Sequence, residues 1–100
     1  MPHKNYDEFL FQQLQDSEMA AEYLTAALES GSMEEFLVAL RNVAQAHGGI
    51  ASLADTTKLN RQSLYKMLSE TGNPTLASLL PALKAVGIRL TFSPENKKAA

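Results

Sequence analysis

The side chains best suited to specific chemistry stand together in the stretch LNRQSLYKMLSETGNPT, residues 59–75. Asn60 is a favourable helix N-cap, and the pattern that follows it predicts a short helix over 61–69. The guanidinium of Arg61 can donate two hydrogen bonds to O6 and N7 of guanine, and the amide of Gln62 can pair with N6 and N7 of adenine. These residue types at the start of a helix therefore indicate the reading of base edges.

Further polar side chains extend this candidate surface. Helical spacing sets Arg61 one turn before Tyr65 and Gln62 one turn before Lys66. We assign base reading to Asn60, Arg61 and Gln62, and phosphate contacts, which set affinity and register, to the residues around them. The predicted DNA-contacting residues are Asn60, Arg61, Gln62, Ser63, Tyr65, Lys66, Ser69, Lys58 and Ser52. The alternative is a polar helix face that only meets solvent.

A helix-turn-helix over about residues 50–69 would position this surface. Such a unit needs a small residue where its two helices cross, and Ala54 fits that place. Apolar residues on both sides must hold the pair together. The predicted core of the unit is Leu53, Ala54, Leu59, Leu64, Met67 and Leu68. Lys58 stands where many such units have glycine, so we expect either a left-handed residue at some energetic cost or a turn of different construction.

Apolar periodicity and capping signals predict helices along most of the chain. Ser32 and Glu35 have the spacing of a capping box, and Gly31 is expected to end the preceding helix. Pro81 lies inside an apolar stripe and should kink or break its helix. The predicted helices are 6–14, a second that Ser17 caps, a third from Ser32 to Gly48, then 50–57, 61–69, and one that Asn73 caps, Pro74 opens and Gly87 closes.

The segment 88–92 alternates apolar and polar residues, which predicts one β-strand. Ile88, Leu90 and Phe92 would share a face. A lone strand leaves its backbone groups without partners, so we expect it to pair across a homodimer or with another protein. A frayed C-terminal segment is the alternative, and residues 93–100 are expected to form a flexible tail.

Charge is divided unevenly along the 100 residues. The net charge is −2, but residues 1–35 carry −7 and residues 36–100 carry +5. This division suggests a basic or neutral partner for the first half and a phosphate-rich partner for the second. A solvated acidic face that keeps the protein soluble is the alternative for the first half.

Several classes of protein are disfavoured. There is no cysteine, no apolar run of about 18 residues and no apolar leader, so we expect neither a membrane span nor export, and a cytoplasmic location. His3 and His47 stand apart from any metal or nucleophile pattern. We therefore predict no enzyme, no metal or cofactor, and no small-molecule substrate.

Five stretches resemble the probable addiction-module antidote proteins, which are HigA-like antitoxins of bacterial type II toxin–antitoxin pairs. These stretches are AEYLTAAL (21–28), FLVALRNVA (36–44), LNRQSLYKMLS (59–69), GNPT (72–75) and LKAVGIRL (83–90). The resemblance implies a mainly α, lambda-repressor-like helix-turn-helix bundle with N-terminal helices and one short C-terminal strand. It also implies a RelE/HigB-like toxin partner, repression of the protein's own operon, and a DNA-reading helix over 60–69.

The domain organisation expected is an N-terminal extension or short helix over 1–16, a DNA-binding domain over 17–92, and the tail. Because toxins of this class tend to be basic, the acidic half is our hypothesis for toxin binding. The residues proposed for it are Glu8, Phe11, Asp16, Glu18 and Glu22. A stand-alone transcriptional regulator without a toxin, and a module that contacts only proteins, remain as alternatives.

Overall fold

The computed structural model describes residues 2–69 and 72–95, with side chains from Tyr6 onward. These residues contain six α-helices and no β-strand, so the prediction of a mainly helical fold is confirmed. The helices are α1 Pro2–Leu14, α2 Ser17–Glu29, α3 Met33–Ala46, α4 Gly49–Thr57, α5 Arg61–Met67 and α6 Leu76–Ala85. None of the helices in the described part of the chain is long and apolar enough to cross a membrane.

Side-chain caps explain where α2 and α3 begin. Ser32 Oγ accepts a hydrogen bond from the backbone N–H of Glu35 at 3.2 Å, as the capping-box spacing predicts. For α2 the predicted cap is wrong, because Asp16 accepts from the N–H of Glu18 at 3.0 Å while Ser17 is already helical. Gly31 follows α2 with a φ of 90°, a conformation that favours glycine at a helix end.

The start of α6 also differs from the prediction. Its cap is Thr75, whose hydroxyl accepts from the N–H of Ser78 at 3.3 Å, whereas Asn73 and Pro74 lie in the non-helical segment before it. The helix continues through Pro81, so the chain does not break there. Pro81 nevertheless removes one backbone donor from the helix.

The core is organised around α3, which packs against α1, α2 and α4, while α4 also contacts α5 and α6. Half of the α3 residues are buried, which explains why this helix shows the clearest apolar stripe in the sequence. Burial of each large side chain contributes about 1.5–3 kcal/mol to the free energy of unfolding. The largest fully buried side chains are Leu14, Leu37, Leu40, Val43, Leu64 and Leu68.

The predicted strand over 88–92 is not present. The N–H of Ile88 donates to the carbonyl of Leu83 at 2.9 Å, and the chain then leaves α6 as an irregular segment. No described segment of the same chain lies in position to pair with it as a strand. Ile88 packs against the core, whereas Leu90 is 37% exposed and Phe92 is 92% exposed. Of the predicted tail, residues 96–100 lie outside the described residues.

Candidate nucleic-acid interface

The helices α4 and α5 are joined by a three-residue turn over 58–60. All six residues predicted as the core of this unit lie in the apolar core or against it. Leu53 is buried on α4, and Ala54 and Leu59 are half-buried beside the core. On α5 the buried positions recur at helical spacing, at Leu64 and Met67, with Leu68 buried immediately after the helix. The remaining face of α5 is therefore turned outward.

The turn places Lys58 in the left-handed region, with φ 66° and ψ 14°. This outcome is one of the two that the sequence left open. Its N–H donates to the carbonyl of Ala54 at 2.9 Å, which closes the last turn of α4. Among the described residues Lys58 is the only non-glycine residue with a positive φ, and a Cβ in that conformation costs about 1–2 kcal/mol.

Thr57 secures the same turn and was missed by sequence reasoning. Its hydroxyl donates to the carbonyl of Leu53 at 2.7 Å and accepts from the N–H of Leu59 at 3.1 Å. Both distances are those of ordinary hydrogen bonds. A threonine next to a predicted turn is a known signal for such bonding, so this residue could have been identified from its position.

The predicted contact residues of α5 are exposed. Arg61, Gln62, Tyr65 and Lys66 all face solvent, and α5 contains no acidic residue. Ser63 is likewise exposed. The outward face of this helix therefore combines hydrogen-bond donors, one aromatic ring and positive charge, which are the groups that contact bases and phosphates.

Two of the predicted contact residues have part of their hydrogen-bonding capacity occupied. Asn60 Oδ1 accepts from the N–H of Ser63 at 3.0 Å, so its amide caps α5. Bidentate pairing with adenine requires both the oxygen and the nitrogen of an amide, so Asn60 is better suited to positioning α5 than to reading a base. Ser69 is half-buried, and its hydroxyl donates to the carbonyl of Lys66 at 2.8 Å.

Arg41 holds the far end of α5 and was also missed. Its Nε donates to the carbonyl of Leu68 at 2.9 Å, which joins α3 to the C-cap residue of α5. Arginine near a helix C-terminus satisfies carbonyls that have no partner inside the helix. The sequence signal was an arginine within the otherwise apolar stripe of α3, but its partner is 27 residues away.

The close return of the chain after α5 requires Gly72. Its N–H donates to the carbonyl of Ser69 at 3.0 Å. A Cβ at this position would lie 2.2 Å from the carbonyl oxygen of Met67, which no larger residue can tolerate without movement of the backbone. The GNPT stretch follows this turn and leads to the start of α6. A cleft of about 370 Å³ forms between α5 and the start of α6, with Lys66 and Thr75 among its lining residues.

Ser52 is exposed on α4, and Lys58 is exposed in the turn. Lys58, Arg61 and Lys66 give the α4–α5 unit a positive outer side, with Asp55 as the acidic residue of that stretch. The geometry thus presents one short helix with a cationic, donor-rich face and a buried apolar face.

Most of the amino-acid sequence matches a known protein family. Residues 4–94 match the family described as "Probable addiction module antidote protein". The chain belongs to this family. The resemblance drawn from the sequence motifs is therefore confirmed at the level of the family.

A relative of this antidote chain occurs in Haemophilus influenzae, where it is described as an uncharacterized protein. The two are 36% identical over 67 residues, which are 67% of this chain and 68% of the relative. No solved structure matches the antidote chain significantly. Membership of an antidote family implies a toxin partner in general, and it points to a regulatory rather than an enzymatic protein.

The acidic residues predicted for the partner of this antidote are exposed. Glu8 lies on α1, Asp16 at the cap of α2, and Glu18 and Glu22 on α2 itself. Phe11 is different, because it is half-buried and packs against the core. Its ring therefore helps to attach α1 to the bundle, and only part of it is available to a partner.

Among the residues whose placement is described, no three side chains of His, Asp or Glu come together. His47 lies at the C-cap of α3, with Nε2 3.0 Å from the carbonyl oxygen of Leu14. In the tautomer that carries a proton on Nε2, His47 donates to the end of α1. His3 lies among the residues whose side chains are not described.

Proposed function

We propose that this protein is an antitoxin that binds and neutralises a RelE/HigB-like toxin and represses its own operon by sequence-specific DNA binding. Membership of the antidote family supports the toxin-directed role. The observation that carries the DNA-directed role is the exposed, acid-free face of α5, which is fixed at its start by the turn at Lys58 and at its end by Arg41. Both roles belong in the bacterial cytoplasm.

In this proposal α4, the turn and α5 form a helix-turn-helix, and α5 enters the major groove. Arg61 and Gln62 stand at its N-terminus, where recognition helices contact base edges. Tyr65, Lys66, Lys58 and Ser52 contact phosphates, with Ser63 and Ser69 as further contacts. Asn60 caps the helix, and its amide N–H groups stay free to donate to DNA.

A single copy would bind weakly. With seven residues, α5 is about 10 Å long, so it can contact only a few base pairs. Two copies whose recognition helices are about 34 Å apart would read two half-sites on one side of the duplex. We therefore propose a homodimer, with the segment that carries Ile88, Leu90 and Phe92 pairing against its symmetry mate. Antiparallel pairing across a two-fold axis would bond backbone groups that one chain leaves without strand partners.

A gel-shift titration with DNA from upstream of the protein's own gene tests the DNA-directed role. Arg61→Ala and Gln62→Ala should each weaken binding by about 5- to 150-fold, the equivalent of one lost bidentate base contact at about 1–3 kcal/mol. Lys84→Ala, which removes an exposed cation on α6 outside both the α4–α5 unit and the proposed dimer segment, is the control and should change affinity far less. The wild-type complex should weaken steeply as salt is raised.

The absence of any complex at low salt would contradict the DNA-directed role and leave a module that contacts only proteins. A stand-alone regulator is a second alternative, and the antidote family argues against it. Co-purification with a small basic protein encoded by an adjacent gene would decide between that regulator and the antitoxin.

A further inference from the structure

A groove between α2 and α3 is separate from the candidate DNA surface. It has a volume of about 590 Å³, and no described residue of α4, α5 or α6 lines it. Its floor is formed by Ala26 and Ala27 on α2 and by Val38 and Ala39 on α3. Val38 is 39% exposed although it is β-branched and apolar. Exposed apolar side chains grouped in one recess are a candidate contact surface for a partner.

Hydrogen bonds at both ends of the groove fix its shape. At one end, Asn42 Nδ2 donates to the hydroxyl oxygen of Tyr23 at 2.8 Å, which joins α3 to α2. At the other end, the hydroxyl of Ser30 bonds to a carboxylate oxygen of Glu35 and lies 2.6 Å from the carbonyl of Ala27. The two helices are therefore linked at both ends of the groove, and a ligand would meet a recess that is already formed.

The charged residues that line this groove are all acidic. Glu34 and Glu35 line it from the first turn of α3. On α2, Glu22 stands next to Tyr23, which also lines the groove, whereas Glu29 lines a different recess. Within the described chain, no lysine or arginine lines the groove. Arg41, the arginine of α3, bonds to the carbonyl of Leu68 instead.

We propose that this groove, rather than the acidic half as a whole, is the docking site for the toxin. The inference rests on the proposed antitoxin function. The occupant that fits is an amphipathic helix of the toxin whose apolar side chains enter the recess between α2 and α3. A lysine or arginine beside those apolar side chains would then meet the carboxylates of Glu34 and Glu35.

Glu18 serves as a comparison, because it is an acidic residue of α2 that does not line the groove. It is exposed, and it lies on α2 in a different recess whose lining includes Lys84 and Arg89. Its negative charge therefore has positive charges nearby, whereas those of Glu34 and Glu35 have none among the residues that line their groove. Glu18 and Glu34 both stand in the first turn of a helix, so replacing either removes the same kind of helix-dipole interaction.

The test measures binding of purified variants to the small protein that is encoded beside this chain's gene, purified from the co-expressed complex and immobilised. Ala26→Arg places bulk and positive charge in the groove, and Glu34→Lys reverses a charge at its rim. Each should raise Kd about tenfold or more. The controls are Thr25→Arg, next to Ala26 but on the lining of a different recess, and Glu18→Lys. Both should stay within about twofold of the wild type, since rim charges away from a contact have small effects.

Circular dichroism and the gel shift described above establish that all four variants fold and keep the candidate DNA surface. If the wild-type chain does not bind the adjacent gene's product, the antitoxin function itself fails, and the docking site with it. If the wild type binds and the two groove variants bind equally well, the toxin docks elsewhere while the antitoxin function stands. Equal losses of affinity in the groove variants and the controls would show that the overall negative charge attracts the toxin. That result would also contradict docking in the groove.

Discussion

Lys58 offers a way to separate folding strain from DNA contact, because one residue is proposed to affect both in opposite directions. It occupies the left-handed region with φ 66°, and its exposed ammonium belongs to the candidate DNA surface. Replacement by glycine removes the strain and the charge together. Replacement by alanine removes the charge but keeps the Cβ that makes this conformation unfavourable. The two variants therefore differ chiefly in backbone strain.

The expected size of the effect follows from two opposing contributions. A residue with a Cβ loses about 1–2 kcal/mol in the left-handed conformation, and Lys58→Gly recovers that amount. Glycine also gives the unfolded chain more freedom, which lowers the free energy of unfolding by about 0.4–1 kcal/mol. The net gain is about 1 kcal/mol, or about 4–8 °C in Tm for a domain of this size. Lys58→Ala should change the free energy of unfolding by less than about 0.5 kcal/mol.

Thermal and urea unfolding measure the first effect, and the salt dependence of the gel shift measures the second. Both variants should weaken DNA binding alike, and the slope of log K against log salt should fall by about 0.9 for each protomer bound. Equal stability of the glycine and alanine variants would refute the argument from strain. Wild-type DNA affinity and salt slope in both variants would refute the assignment of Lys58 as a phosphate contact.

Three further changes test the supports of the candidate DNA surface. Arg41→Met keeps an apolar stem but leaves the carbonyl of Leu68 without its donor, so unfolding and gel-shift measurements should show a loss of about 1–3 kcal/mol in stability and weaker DNA binding. Gly72→Ala should lower stability by at least about 1 kcal/mol in urea unfolding, because its Cβ would overlap the carbonyl that ends α5. Phe92→Glu should shift sedimentation from dimer to monomer at micromolar concentration, whereas Thr91→Glu, on the opposite side of the alternating segment, should not. Unchanged sedimentation of the Phe92 variant would rule out the proposed dimer contact.

The sequence pattern predicted helix ends that depend on hydrogen bonds between residues close together in the chain. Ser32 and Asn60 cap α3 and α5 as expected, because a capping side chain bonds to an N–H two or three residues ahead. Where two residues suited to capping stand close together, the sequence did not show which of them caps the helix. Asp16 stands directly before Ser17 and takes the cap of α2, and Thr75 follows Asn73 and takes the cap of α6. The cap of α2 lies one residue before the predicted cap, and the cap of α6 lies two residues after it.

Features that depend on distant partners could not be predicted in the same way. A strand exists only when another strand bonds to it, and the described part of one chain supplies no such partner to residues 88–92. The bond from Arg41 to Leu68 and the link between Asn42 and Tyr23 join residues that are 27 and 19 positions apart. Sequence spacing identified the exposed face of α5, whereas these contacts, which fix that face and the α2–α3 groove, required the fold.

The separation of charge resolves the apparent conflict between a net charge of −2 and a surface suited to DNA. The molecule measures 44 × 35 × 24 Å, while electrostatic interactions in physiological salt decay over about 8 Å. Charged side chains that lie farther apart than this length interact only weakly. The α2–α3 groove shares no lining residue with the α4–α5 unit, so the acidic and the cationic surfaces are formed by different residues. Each surface can then attract a partner of opposite charge, and the net charge of the chain predicts neither interaction.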